Sequence, residues 1–129
     1  MKQILLVDDD PIQLRTREAI LRSAGFMVSI ATNVESASVL LRTAAKHIGM
    51  VITDHLLSGA TGATLVRQLR NAQSQIPVLV LTGLPEAEAD YEGLNVKVRH
   101  KPLPPEELIA LAHEGLDLQD EPGLNNNAA

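Results

Sequence analysis

The chain contains no cysteine and no tryptophan, and its phenylalanine, tyrosine and tryptophan content is limited to Phe26 and Tyr91. Without cysteine, disulfides, thiolate zinc sites and cysteine nucleophiles are excluded. With aromatics at 2% of the residues, a surface that stacks on unpaired bases is not expected either. The core must therefore be aliphatic, which agrees with an apolar content of 45%.

Positive charge is also scarce. The 11 basic residues are outnumbered by 16 acidic ones, so the net charge is −5, and no basic stripe suited to a nucleic-acid duplex is visible. No apolar run approaches the roughly 18 residues of a membrane span. The opening segment MKQILLVDDD has too short an apolar run for a signal peptide. We therefore expect a cytoplasmic protein that binds neither nucleic acid nor membrane.

The 129 residues suit one domain, in which apolar runs alternate with helical patterns. Asp10-Pro11 and Asn33 are typical helix starts. Strands that alternate with helices predict an α/β fold, with a parallel sheet covered by helices on both faces. The predicted strands lie at residues 4–7, 26–30, 50–53, 78–81 and 94–98.

Two stretches depart from this alternation. Residues 85–91, PEAEADY, are acidic and poor in large apolar side chains, so a helix there is expected to be brief and weakly anchored. Residues 117–129 are polar and without periodicity, which predicts a disordered tail. The single domain is therefore expected at residues 1–116.

Polar residues stand at the ends of four predicted strands. Asp8 and Asp9 follow the first strand, Asp54 the third, Thr82 the fourth and Lys101 the fifth. Since parallel strands end at one edge of the sheet, these groups are expected to lie together. Three close carboxylates repel one another unless a cation intervenes, and Mg²⁺ is a natural partner. An aspartate in such a site can accept a phosphoryl group as a nucleophile.

A resemblance to a known family rests on four segments: ILLVDDDP, VITDHLLSGATG, PVLVLTG and HKPL. In order and spacing they resemble the receiver domains of two-component response regulators, over roughly residues 2–116. The resemblance implies a flavodoxin-like, doubly wound sheet of five parallel strands in the order 2-1-3-4-5. It also implies Asp54 as the phosphoacceptor, Thr82 as a switch hydroxyl that moves toward the phosphoryl group, and Lys101 as a cation that pairs with that group.

The same resemblance implies a Mg²⁺ site. Asp9 would be a direct ligand, Asp8 would hold a metal-bound water, and Asp54 and the backbone carbonyl of Leu56 would complete the protein ligands. A sensor histidine kinase or a phosphotransfer domain would donate the phosphoryl group, and a downstream protein would respond. Such a receiver is a signalling domain rather than an enzyme, although it promotes its own phosphorylation and dephosphorylation.

The sequence departs from the family pattern at Ser58, where proline is usual, and at Gly83, where alanine is usual. Val98 stands where the family often has the aromatic half of its switch, and HKPL without that ring resembles receivers of hybrid-type kinases. We therefore expect phosphorylation to order or shift residues 83–93. The alternative is that Tyr91 packs against the sheet and keeps that segment fixed.

Two other functions stay open. An Asp-nucleophile phosphatase would need a second acid two residues after the nucleophile, a spacing that only Asp8 and Asp10 offer. A phosphate-independent interaction module is the other possibility if the switch has been lost. Ser58 is interpreted as a loop residue, and a Ser58-His55-Asp54 triad is excluded because adjacent strand residues point to opposite faces. The histidines lack metal-ligand spacing and are expected to be structural or exposed: His47, His55, His100 and His113.

Overall fold

The computed structural model describes residues 2–120, with side chains as far as Asp117. Five parallel strands form one sheet in the order β2-β1-β3-β4-β5, which confirms the predicted doubly wound α/β sheet. β1 and β3 are therefore central, while β2 and β5 are the edges. The strands are β1 (Gln3–Val7), β2 (Val28–Ala31), β3 (Ile48–Asp54), β4 (Val78–Thr82) and β5 (Lys97–His100).

The predicted helix starts are both confirmed. The Asp10 carboxylate accepts the backbone N–H groups of Ile12 and Gln13, and the Asn33 side chain accepts that of Ser36. These bonds satisfy donors that have no partner within the helix. The helices are α1 (Pro11–Ser23), α2 (Val34–Thr43), α3 (Gly62–Asn71) and α4 (Pro105–Asp120), with 3₁₀ helices at Ala45–His47 and Pro85–Tyr91.

The central strands are buried on both faces, which is why they read as continuous apolar runs. Leu5 and Val7 pack with residues of α2 and α3, whereas Ile4 and Leu6 pack with residues of α1 and α4. Successive side chains of a strand point to opposite faces, so each run supplies both layers of the core. No helix within residues 2–120 has both the length and the apolarity that crossing a bilayer requires.

Two strands begin later in the sequence than predicted. The second strand was expected from Phe26, but the backbone N–H of Phe26 still bonds to the carbonyl of Leu21 and closes the end of α1. The fifth was expected at residues 94–98, but Asn95 has a left-handed φ of 57°, which an extended strand does not allow. Leu94 packs against the core from this turn, so its apolar character reflects burial outside the strand.

The segment between β4 and β5 is a 3₁₀ helix, Pro85–Tyr91, so the brief helix expected there is present. The expectation of weak anchoring is wrong, because Ala87 and Tyr91 are buried. α4 runs to Asp120, so residues 117–120 of the expected tail are helical. The remainder of the predicted tail, 121–129, lies outside the described residues.

Candidate functional site

Three carboxylates meet at the carboxyl edge of the sheet. One ligand oxygen from each of Asp8, Asp9 and Asp54 lies within 4.8 Å of the others. Asp8 and Asp54 are buried and Asp9 is exposed. The strands that carry them, β1 and β3, are neighbours in the sheet, so their ends bring these residues together. We call Asp8, Asp9 and Asp54 the acidic cluster; among residues 2–120 it is the one group of acids or histidines spaced to hold a metal.

Thr82, the last residue of β4, and Lys101, which directly follows β5, lie beside the cluster. The Lys101 ammonium lies 2.7 Å from Oδ1 of Asp54, and the Lys101 backbone N–H donates to the Thr82 carbonyl at 2.8 Å. The ammonium contact lacks hydrogen-bond alignment, and this Oδ1 is buried without a hydrogen-bond partner among the described residues. The Thr82 hydroxyl accepts the N–H of Leu84 at 3.0 Å, which leaves its hydrogen available for donation.

Asp8 has no exposed side-chain surface. Its Oδ1 accepts the backbone N–H of Asp10 at 2.9 Å, and its Oδ2 accepts Nη1 of Arg17 at 2.7 Å. Burial raises the pKa of Asp8, and the nearby charge of Asp54 raises it further, while the Asp10 N–H and Arg17 act in the opposite direction. When all three carboxylates of the cluster are ionised, the two cations beside them, Arg17 and Lys101, leave one negative charge unmatched.

Arg17 was not identified from the sequence as a site residue, and neither was Gln13. The Gln13 Oε1 accepts both Nη2 of Arg17 at 3.0 Å and Nζ of Lys101 at 3.1 Å. Gln13 and Arg17 are four residues apart on α1, so they share one helix face. The signal available in the sequence was the start of α1 directly after Asp8 and Asp9, which places its first turns beside the site.

The loop after Asp54 folds back over the cluster. Leu56–Leu57 pairs with Ala60–Thr61, and Gly59 between them has φ +73°, a conformation that favours glycine. The Ser58 hydroxyl donates to Oδ2 of Asp9 at 2.8 Å. The interpretation of Ser58 as merely a loop residue is therefore incomplete, because it anchors the loop to the cluster. The side chain of Leu56 is 54% exposed and offers no polar group there.

His55 faces away from the cluster, as expected for a structural residue. It is buried, its Nδ1 lies 2.6 Å from the Tyr91 hydroxyl, and the two rings meet edge to face. Burial raises the pKa of Tyr91 strongly, and the charge of Asp90 adds to this. Since Ser58 bonds to Asp9 and His55 to Tyr91, the excluded hydrolase triad is indeed not formed.

Gly62, the first residue of α3, lies against both the end of β3 and the Tyr91 hydroxyl. A Cβ atom on this glycine would lie 2.8 Å from the carbonyl oxygen of Asp54 and 2.9 Å from the Tyr91 hydroxyl. Neither distance is acceptable for a carbon atom, so the absence of a side chain lets α3 start against the end of β3. Gly62 thereby sets how closely Tyr91 approaches the end of β3.

The donor set suits a hard divalent cation. All side-chain atoms that the acidic cluster offers to a metal are carboxylate oxygens, which Mg²⁺ prefers as ligands. The buried Oδ1 of Asp54 contacts the Lys101 ammonium but accepts no hydrogen bond from the described residues, so it retains lone pairs that a metal could use. The cluster therefore has the composition and unmet charge that a metal would satisfy.

Comparisons with known proteins agree with this geometry. The family model described as response regulator receiver domain matches residues 4–113. The transcriptional regulatory protein AruR of Pseudomonas aeruginosa is 34% identical over 117 residues, covering 85% of this chain and 47% of that protein. Response regulator RppA of Synechocystis is 33% identical, covering 72% of this chain and 40% of that protein. The chain thus spans less than half of either relative.

Solved structures show the same fold. A CheY-like receiver domain from Methanospirillum hungatei superposes with a TM-score of 0.84 at 23% identity, covering 94% of this chain and 98% of that one. The chemotaxis response regulator CheY4 of Vibrio cholerae superposes with a TM-score of 0.79 at 25% identity, covering 90% and 99% respectively.

Proposed function

The chain belongs to the receiver-domain family of two-component response regulators, and from that premise we propose that it is a phosphoacceptor switch whose acceptor is Asp54. The observation that carries the proposal is the pairing of Asp54 Oδ1 with Lys101 inside the acidic cluster. A sensor histidine kinase or phosphotransfer domain is the proposed donor. A downstream protein is the proposed recipient of the signal.

Asp54 is the proposed nucleophile because it is the buried carboxylate that contacts the ammonium group. One of its oxygens forms a bond to phosphorus while the P–N bond of the donor's phosphohistidine breaks. The electron pair of that bond stays on the imidazole, which takes up a proton. Negative charge spreads over the phosphoryl oxygens during transfer, so positioning and positive charge are what the site must supply.

Asp8, Asp9, Asp54 and the backbone carbonyl of Leu56 are the groups that would hold Mg²⁺. When bound, the metal would neutralise charge on the phosphoryl oxygens. Lys101, already beside Asp54, provides a second positive charge at the same point. The Thr82 hydroxyl can donate its free hydrogen to a phosphoryl oxygen, and it would do so without giving up the bond that it accepts from Leu84.

Two features support a protein as the donor. Ile12, in the first turn of α1, is 77% exposed, and Leu56, two residues after Asp54, is 54% exposed. Each follows an aspartate of the acidic cluster by two or three residues in the sequence, so a docked protein donor could bury both. The phosphatase alternative loses support, because the Asp10 carboxylate is engaged as the cap of α1.

Acetyl phosphate and Mg²⁺ test the proposal, with the intact mass as the readout. The unaltered protein should gain one labile phosphoryl group, and Asp54→Asn should not. Asp10→Asn is the matched control, because it keeps the cap and should still be phosphorylated. An adduct that persists in Asp54→Asn would refute the acceptor assignment, and no adduct on any form would favour a phosphate-independent module.

A further inference from the structure

The side chain of Arg17 is a cation inside the proposed metal site. It is 14% exposed and donates from Nη1 to the fully buried carboxylate of Asp8 at 2.7 Å. Its second terminal nitrogen donates to Gln13 at 3.0 Å, and this bond fixes the guanidinium in place. A partly buried arginine held at two points is a defined part of the site rather than a mobile surface charge.

We propose that Arg17 is a built-in counter-cation that competes with the divalent metal for Asp8 and so raises the metal concentration at which the receiver becomes competent. This inference rests on the proposed function, because it concerns the regulation of the same site. The carboxylates of Asp8, Asp9 and Asp54 are already opposed by Arg17 and Lys101. With both cations present, the three ionised carboxylates keep one net negative charge. Without Arg17 they would keep two, which equals the charge of a divalent ion.

The hydrogen bonds give the competition a second component. Both oxygens of Asp8 are already acceptors, one toward the Asp10 N–H and the other toward Arg17. A metal-bound water can donate a hydrogen bond to Oδ2 of Asp8 without competition only if the Arg17 contact with that oxygen weakens. Gln13 would then keep its bond to Lys101, so the ammonium at Asp54 stays in place while Arg17 moves.

The test is a calorimetric titration of Mg²⁺ into the full chain and its variants. Arg17→Met should bind Mg²⁺ more tightly than the unaltered protein, by a factor on the order of ten, because a positive charge near the metal is removed. Arg15→Met is the matched control: it removes the same charge from the same helix, but Arg15 is 69% exposed and pairs with Glu18. Its effect should be no more than about two-fold.

Thermal unfolding separates competition from a purely structural role. Without metal, Arg17→Met should melt at a lower temperature than the unaltered protein, since Asp8 is left buried and unpaired. Saturating Mg²⁺ should raise the melting temperature of Arg17→Met by more than it raises that of the unaltered protein. A merely structural arginine would lower the melting temperature by the same amount in both conditions.

Two further measurements cover the case in which Arg17→Met does not fold. Arg17→Gln removes the charge but keeps a polar side chain, and the unaltered protein can be followed through the Nε–H resonance of Arg17, with Arg15 as internal reference. Tighter Mg²⁺ binding by a folded Arg17 variant, or a selective Mg²⁺-induced shift of Arg17, supports the proposal. If the unaltered protein binds Mg²⁺ and neither result is seen, the Arg17 proposal alone fails. If no form binds Mg²⁺, the metal site in the proposed function fails with it.

Discussion

The hydroxyl of Tyr91 lies 2.6 Å from Nδ1 of His55, the residue that directly follows the proposed phosphoacceptor. Both side chains are buried. The contact joins the end of β3 to the 3₁₀ helix Pro85–Tyr91, which follows β4. An aromatic ring is missing at Val98, but Tyr91 places one against the end of β3 from a different position in the chain.

The hydrogen bond between these residues should contribute to stability. Tyr91→Phe keeps the ring but leaves a buried ring nitrogen of His55 without its partner, which should cost about 1–3 kcal/mol of unfolding free energy. Urea denaturation of both forms measures the difference. An unchanged denaturation midpoint would mean that the hydroxyl carries no net stabilisation.

The same contact should transmit the phosphorylated state. Beryllofluoride, which mimics the phosphoryl group, should change amide hydrogen exchange across residues 83–93 in the unaltered protein, and the change should be smaller in Tyr91→Phe. Tyrosine emission of the unaltered protein gives a second readout of this segment, because the chain has one tyrosine and no tryptophan. Exchange differences restricted to the loops of Asp8, Asp54 and Lys101 would place the output elsewhere.

Alkaline pH should destabilise the folded protein through Tyr91. Its folded-state pKa is raised by burial, so the folded protein binds this proton more tightly than the unfolded chain does. The stability is therefore fully present below the unfolded-state value, near 10, and is lost as the pH rises above it. Ultraviolet titration should show tyrosinate at a higher pH in buffer than in urea. Identical titration curves would contradict the burial.

The two aspartates after β1 should differ in their effect on metal binding. Asp9 is exposed and, within residues 2–120, its carboxylate accepts a hydrogen bond only from Ser58, whereas Asp8 is buried and already accepts the Asp10 N–H and the Arg17 guanidinium. Asp9→Asn should therefore lower Mg²⁺ affinity more than Asp8→Asn, as judged by calorimetry. Equal losses would argue against separate roles.

The phosphorylated form should be long-lived. Leu56 and Leu84 stand two residues beyond Asp54 and Thr82, and neither can orient an attacking water through a hydrogen bond. Leu56→Asn or Leu84→Glu should therefore speed loss of the phosphoryl group several-fold, measured by the decay of the phosphoprotein mass. Leu56→Ala is the control, because it removes bulk without adding a polar group. Slower decay in both polar variants would be the opposite result.

The sheet and the positions of the cluster could be predicted because both depend on local patterns. Apolar runs mark strands, and parallel strands end at a common edge, so the sequence places Asp8, Asp54 and Lys101 together. Their roles as phosphoacceptor and metal ligands were implied by the family resemblance. Helix caps were equally accessible, since Asp10 and Asn33 act on backbone groups two or three residues away.

The contacts that were not predicted join side chains whose pairing no local pattern encodes. Tyr91 reaches His55 across 36 positions, and Lys101 reaches Gln13 across 88. Nothing in the composition of PEAEADY indicates that its last residue is buried, because one tyrosine is too little to show a period. The fifth strand was misplaced for a related reason: Leu94 is apolar because it fills the core from a turn.

β5 is an edge strand with an open row of backbone donors and acceptors, and its sequence, KVRH, places Lys97 exposed at one end and His100 exposed at the other. Charged side chains on an edge oppose the addition of a further strand. Lys97 is also paired with Glu114, so a further strand along β5 would have to accommodate or displace these charged groups. Extension of the sheet along β5 is therefore disfavoured.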